Sequence, residues 1–240
     1  MEVILEKGVT TGLNITEQLP QESIRGYVYR LIRLNIINLT LPPGKVIAEQ
    51  DMADQLHVSR TPVREAFIKL AQENLLDILP QKGTYVSLID VGQVEESKFV
   101  RETLERKVVQ MACVAFPKEE LFQLQSYVAL QELCIAEKNY QKFFELDERM
   151  HGTIFKACNK SRAWSMLQQM NAQYNRVRML NLSAGFDWEL LILQHKDLVR
   201  AIKVKDSKLA ETTTDQHLNK VVVDLEQLRS EYGHYFLPLR

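Results

Sequence analysis

From residue 91 onward, apolar residues recur at helical spacing in six successive segments, roughly 92 to 113, 118 to 138, 140 to 158, 161 to 182, 187 to 204 and 206 to 231. No stretch there alternates as a strand would. Amphipathic helices joined by short turns can bury their apolar faces only against one another. Residues 91–240 are therefore expected to form an all-α antiparallel bundle. The pattern is different ahead of that point, which sets a domain boundary near residue 90.

Residues 1–19 show no firm periodicity and read as an N-terminal arm. Within 20–90 the spacing of Ile24, Val28, Leu31 and Ile32 predicts a helix from Ser23 to Ile37, ended by the turn residues "LPPG". A short second helix is expected from Glu49 to Leu56 with Met52, Ala53 and Leu56 inward. After the break "HVS" a third runs to about Asn74 with Val63, Ala66, Phe67 and Leu70 on its apolar face. Two β-prone runs, Leu76 to Leu79 and Thr84 to Leu88, flank the turn residues Pro80 to Gly83 and predict a hairpin. Three helices plus a hairpin wing is the layout of a winged helix-turn-helix. The fold class expected is mainly α, this small domain followed by the bundle.

Charge limits what such a domain can do. The whole chain carries a formal net charge of -1, and Pro20 to Asp90 holds as many acidic as basic residues. A bulk electrostatic attraction for nucleic acid is excluded, so any such function rests on locally placed charge. Arg60 and Arg64 supply it, sharing one face at the start of the third helix. A recognition helix enters the major groove by that end, where free backbone N–H groups attract phosphate and the arginine fork matches guanine O6 and N7. Pro62 is tolerated in a first helical turn, and Ser59 or Thr61 can cap it. On most helices two arginines at this spacing are only a solvated face, so spacing alone does not decide.

The three cysteines, Cys113, Cys134 and Cys158, are an odd number without CxxC spacing, which points to reduced core thiols. Neither a leader nor an apolar stretch of about 20 residues is present, so a cytoplasmic protein with no membrane segment is expected.

Polar residues intrude on the inward faces of the bundle. Asp147 and His151 lie on one stripe with Phe144, Ile154 and Cys158. His195 continues Leu191, Leu198 and Ile202, and His217 continues Thr213, Val221 and Leu228. An unpaired buried carboxylate costs several kcal/mol, so something positive must meet Asp147. A single histidine on an apolar face is usually a hydrogen-bonded core residue. Three with one aspartate, two of the four at i and i+4, fit a divalent transition metal: zinc, nickel, cobalt or manganese. His57 and His234 fall in the helix-turn-helix break and the tail and need no metal.

The run "LPPGKVIAEQDMADQLHVSRTPVREAFIKLAQENLLDILPQKGTYV", with "PPG", "VSRTPVREA" and "KGTYV" in order, resembles the winged-helix domain of the GntR superfamily of bacterial regulators. That resemblance implies that Arg60, Thr61 and Arg64 contact DNA, with Ser59 and Gln50 nearby. It implies too that Gly83 lets the wing approach the minor groove and that Lys82 serves phosphate. Asp147 and His151 in "DERMH", His195 in "QHKDLVRAI" and His217 in "DQHL" resemble the metal-binding set of the FCD effector domain, the FadR-like branch. Gln194 stands where a glutamate is commoner in that family.

The resemblance points to Arg101 in "FVRETLE" as the anchor of a small carboxylate effector beside a metal, most often zinc, with Arg176 and Arg178 as further candidates. The function expected is a homodimeric repressor of a palindromic operator on double-stranded DNA, controlled by that acid. Two rivals stand beside it: a regulator for which the ion is the signal, and a metal-dependent hydrolase. The hydrolase would lack HExxH, a nucleophile elbow and a phosphate-binding glycine loop.

Overall fold

A computed structural model of the chain describes residues 12–185 and 188–238. The described residues divide into two compact units, one running to Val91 and regaining the chain from Arg229 onward, the other spanning Gly92–Leu228.

The first unit holds α1 (Ile24–Ile37), β1 (Val46–Ile47), α2 (Glu49–Leu56), α3 (Arg60–Gln72), β2 (Leu76–Leu79) and β3 (Gly83–Val86). Ser23 caps α1, its hydroxyl accepting from the Gly26 N–H at 3.1 Å. The turn between α2 and α3 is made by His57, which closes α2 in the left-handed conformation at φ 53°. Val28, Leu31, Ile32, Val63, Phe67 and Leu70 are at most 1% exposed and form the core of this unit.

The hairpin is present as a winged helix-turn-helix requires, but the sheet has three strands in the order β1-β3-β2, all antiparallel. Val46 faces Tyr85 and Ile47 faces Thr84. A two-residue strand directly after a Pro-Pro-Gly turn is too short to leave an alternation in the sequence.

Two more findings modify the expected domain layout. Residues 1–11 of the expected arm lie outside the described residues. Residues 13–17 are not loose: Asn14 N–H donates to the Asn35 side chain at 2.7 Å, Leu13 N–H to Gln55 at 3.2 Å, and Arg30 holds the Glu17 carbonyl at 3.0 Å. Asn35 is fully buried, and its side-chain amide in turn donates to the Asn14 carbonyl at 3.0 Å.

The bundle was expected to take in everything from 91 to 240, whereas the described tail from Arg229 belongs to the first unit. There Ile89 N–H donates to the Tyr235 carbonyl at 2.8 Å, Leu237 N–H donates to the Ile89 carbonyl at 2.9 Å, and Phe236 is 4% exposed. Chain pairing with Ile89 outweighs nearness in sequence.

The second unit is helical throughout: α4 (Val91–Val114), α5 (Lys118–Ala136), α6 (Tyr140–Ala157), α7 (Ser161–Met170), α8 (Ala172–Ala184), α9 (Trp188–Val204) and α10 (Ser207–Val223), followed by α11 (Leu225–Glu231). Two segments that read as single helices are each interrupted at one residue, Asn171 and Asp224, across which i to i−4 bonds continue. Asn and Asp compete for backbone groups and favour such interruptions.

The apolar core joins Val108, Ala112, Met150, Phe155, Leu198 and Ile202 from three helices, α4, α6 and α9. Cys113, Cys134 and Cys158 are free and buried. Of Trp164, Met166 and Met170, whose types and positions read as core or dimer contacts, Trp164 packs against this core, whereas Met166 and Met170 are exposed at 65% and 43% and lie outside it. Within α8 every residue from 172 to 182 is buried, including Gln173, Asn175, Arg176, Arg178 and Asn181. A helix buried on all sides and carrying that much polarity must find partners inside the protein.

Candidate DNA-reading surface and metal centre

In the first unit the apolar face of α3 is spent on the core, and its other side is left to solvent. Gln50, Ser59, Arg60, Thr61, Arg64, Lys82 and Gly83 are all exposed. Ser59 takes the extended N-cap backbone, yet its hydroxyl makes no capping bond, contrary to one of the two caps expected. The first-turn N–H groups thus keep their capacity for an outside acceptor. Arg60 Nη2 lies 3.3 Å from Glu49 Oε2, and Gln50 donates to Asp54 at 2.8 Å, so the starts of α2 and α3 present these groups together. Exposed pairs of this kind are worth about 0–1 kcal/mol, little enough to be exchanged for phosphate or a base edge. At the wing Gly83 has φ +113°, a conformation that a side chain would strain.

In the second unit three helices bring the four expected ligands to one point. Asp147 and His151 come from α6, His195 from α9 and His217 from α10; all are buried, and one ligand atom from each lies within 4.8 Å of every other. The outer ring nitrogens each face a polar side chain, His195 and His217 through hydrogen bonds and His151 through a close contact with a carboxylate. His151 Nδ1 is 2.7 Å from Glu105 Oε2, His195 Nδ1 is 2.8 Å from Gln131 Oε1, and His217 Nδ1 is 3.2 Å from Gln194 Oε1. In the tautomer with Nδ1–H turned outward, which these partners can accept, each Nε2 is left as a lone pair.

Nε2 of His151 and of His195 are buried without a hydrogen-bond partner, and the latter faces Asp147 Oδ1 across 3.1 Å. In that tautomer the two are acceptors, and a cation between them would hold them together. The donor set therefore fits a divalent metal.

The electrostatics agree. Burial raises the Asp147 carboxyl, but Arg178 and the neighbouring imidazoles outweigh it and hold it well below the usual carboxylate range. Burial drives His217 well below the ordinary imidazole value, helped by His195 and His151. His195 is lowered too, chiefly by burial, against the pull of Asp147. Neutral imidazoles and an ionised carboxylate are the protonation states a metal takes.

The three arginines are buried around this cluster. Arg178 pairs with Asp147 and Glu148. Arg101 bonds Glu105 through Nε, lies with Nη1 3.7 Å from Glu148, and has no hydrogen-bond partner at Nη1 or Nη2. Arg176 donates to Gln173 at 2.9 Å. A cavity beside the cluster is lined by Asp147, His217, Arg178, Asn181, Lys220 and Phe143 among others. Glu105, Gln131 and Glu148 were not singled out from the sequence. The one available signal was Glu105 four residues after Arg101.

Comparison with known proteins supplies the rest. Residues 25–86 match the family described as bacterial regulatory proteins, gntR family, and residues 98–220 match the FCD domain. The HTH-type transcriptional repressor RspR of Escherichia coli is 32% identical over 228 residues, which cover 95% of this chain and 98% of that protein. The gluconate operon transcriptional repressor of Bacillus licheniformis is 24% identical, covering 82% of this chain and 83% of that one. Among solved structures, E. coli McbR/YncC superposes with a TM-score of 0.75 at 22% identity, over 85% of this chain and 98% of that one, and supports the fold.

Among the described residues no helix is long and apolar enough to cross a membrane. The matched families and relatives regulate transcription and are not enzymes, which removes the hydrolase. The chain is a DNA-binding transcriptional regulator and belongs to the GntR family of bacterial regulatory proteins, with an FCD domain behind its winged helix-turn-helix.

Proposed function

We propose that this regulator is a cytoplasmic homodimeric repressor. It reads a palindromic operator with Arg60, Thr61 and Arg64, assisted by Gln50, Ser59, Lys82 and Gly83. Its affinity is set by a small organic acid bound beside a divalent metal in the FCD domain. Asp147, His151, His195 and His217 would hold the ion, zinc as the first choice and nickel, manganese or cobalt as the alternatives. When bound, it supplies a Lewis-acidic position that a carboxylate oxygen can fill.

Arg101, Arg176 and Arg178 bring buried positive charge around that position, and the two unpartnered Nη atoms of Arg101 suit a carboxylate fork. The observation that carries the reading is the convergence of four buried candidate ligand atoms within 4.8 Å in one unit, while the other leaves exposed all seven residues proposed to meet DNA. An acid that prefers one arrangement of the ligand helices shifts the population of DNA-binding geometries, and half-sites on a palindrome are sensitive to that.

The test is elemental analysis of the purified protein with mass spectrometry of co-purified small molecules, followed by operator titrations. Metal retained and operator affinity changed only on adding an organic acid supports this function. An operator response to the ion alone makes the protein a metal sensor instead.

A further inference from the structure

The three imidazoles around the cluster are not held alike. Gln131 and Gln194 end in amides, which can present either a carbonyl oxygen or an N–H₂ to a ring nitrogen. Glu105 ends in a carboxylate, which when ionised can only accept. Of the three outer partners it alone dictates where the imidazole proton sits.

Glu105 is 1% exposed, its Oε2 lies 2.7 Å from His151 Nδ1, and its other oxygen accepts from Arg101 Nε one helical turn earlier on α4. Arg101 is itself fully buried, its guanidinium carbon 5.4 Å from the Tyr174 ring centroid and 6.0 Å from that of Trp164. It cannot swing to solvent without leaving a buried anion behind.

We propose that Glu105, charged and oriented by Arg101, is the positioning residue that fixes His151 as an Nδ1–H tautomer with its Nε2 lone pair aimed at the metal. This rests on the metal reading of the FCD site and adds the reason why His151 faces it correctly. Arg101 keeps the proton off Glu105; Glu105 keeps a proton on Nδ1; Nε2 is left as the ligand. An imidazole whose Nδ1–H donates to a carboxylate is also a more basic ligand than one donating to an amide. His151 is then the anchoring histidine of the three, and the pair held by amides are the weaker ones.

The experiment titrates Co²⁺ into chelator-treated wild type and Glu105→Gln, following visible d–d absorption. Glu105→Gln keeps the shape and an acceptor oxygen but loses the charge and the fixed proton. Affinity lower by about 10–100-fold, with unchanged far-UV circular dichroism, is the expected result. Equal affinity overturns the proposal while leaving the metal site standing, whereas wild type that binds no Co²⁺ overturns both.

A misfolded Glu105→Gln leaves a second measurement on the native protein. A long-range ¹H–¹⁵N spectrum of the Zn²⁺-loaded wild type, with His151 assigned by its loss in His151→Gln, should show Nδ1 protonated and Nε2 bound to the ion. A spectrum with Nδ1 of His151 bound, or its Nε2 protonated, rules the proposal out. A merely structural glutamate would shift neither the cobalt affinity nor this signature.

Discussion

Arg64 is exposed on α3 while Val63 beside it and Phe67 one turn on are 0% and 1% exposed, so the charge can be removed without disturbing the core. Arg64→Ala should weaken operator binding by about 1–3 kcal/mol, roughly 5- to 150-fold, and leave stability within about 0.5 kcal/mol. A gel shift and a thermal melt separate those two results, and wild-type affinity would remove α3 from the DNA interface.

The histidines make a different kind of prediction. His195 and His217 have folded-state pKa values below the unfolded value of about 6.5, so the unfolded chain binds more protons in the window beneath it. Their effect on stability is absent above that window and grows unfavourable as pH falls through it. The carboxyls facing them, Asp147 and Glu105, do not reverse the sign, because both are depressed and lose their own contribution only at lower pH. The melting temperature of chelator-treated protein should therefore drop between about pH 7.5 and 5.5, and less steeply in His217→Asn. A flat profile would contradict the burial of neutral imidazoles.

These four candidate ligands were legible because each breaks the apolar stripe of its own helix. Of their outer partners only Gln194 stood out, through the family pattern, while Glu105 and Gln131 did not. Gln131 is one polar residue among many on α5, and only the packing of α5 against α9 turns it toward His195.

At the scale of elements, α6 carries half of the proposed ligand set and meets α7 at a glycine. A Cβ added to Gly152 would lie 2.9 Å from Trp164 Nε1 and 3.2 Å from its Cε2, and an indole wedged against Phe155 has little freedom to yield. Alanine gains about 1 kcal/mol of helix propensity over glycine, while overpacking costs about 1–3 kcal/mol. The balance favours destabilisation: Gly152→Ala should lower the unfolding midpoint by up to about 2 kcal/mol and change Trp164 fluorescence. A stabilised variant would mean that α7 is free to shift away.

Helix identities were readable from period alone, since Val63, Ala66, Phe67 and Leu70 fall where a 3.6-residue repeat puts them. What escaped were features shorter than a period: β1 with two residues, and the single-residue interruptions at Asn171 and Asp224. The polar helix α8 was readable as a helix but not as the buried one, because its residues mark no face.

At the scale of the whole molecule the chain passes between the two units twice, once at residues 91 and 92 and again at 228 and 229. The second passage was invisible in the sequence, since the tail after Leu228 gives no sign of what it will pair with. It ends in a bridge between Ile89 and Phe236, with two backbone hydrogen bonds around Ile89, which is itself fully buried. Phe236 is the tail's buried anchor at 4% exposure; Leu237 beside it is 41% exposed.

Truncating a buried phenylalanine to alanine costs about 3–5 kcal/mol where the site cannot collapse. Phe236→Ala, or a chain ending at Glu231, should therefore destabilise the winged unit, although every residue removed lies at the far end of the sequence from its helices. Native-state hydrogen exchange resolves the two units: amides of α1, α3 and the sheet should lose protection in either variant, while those of α5, α6 and α9 keep theirs. Loss of protection confined to the bundle would return the tail to the FCD domain. Unchanged protection everywhere would mean that the strap at Ile89 contributes nothing to the fold it closes.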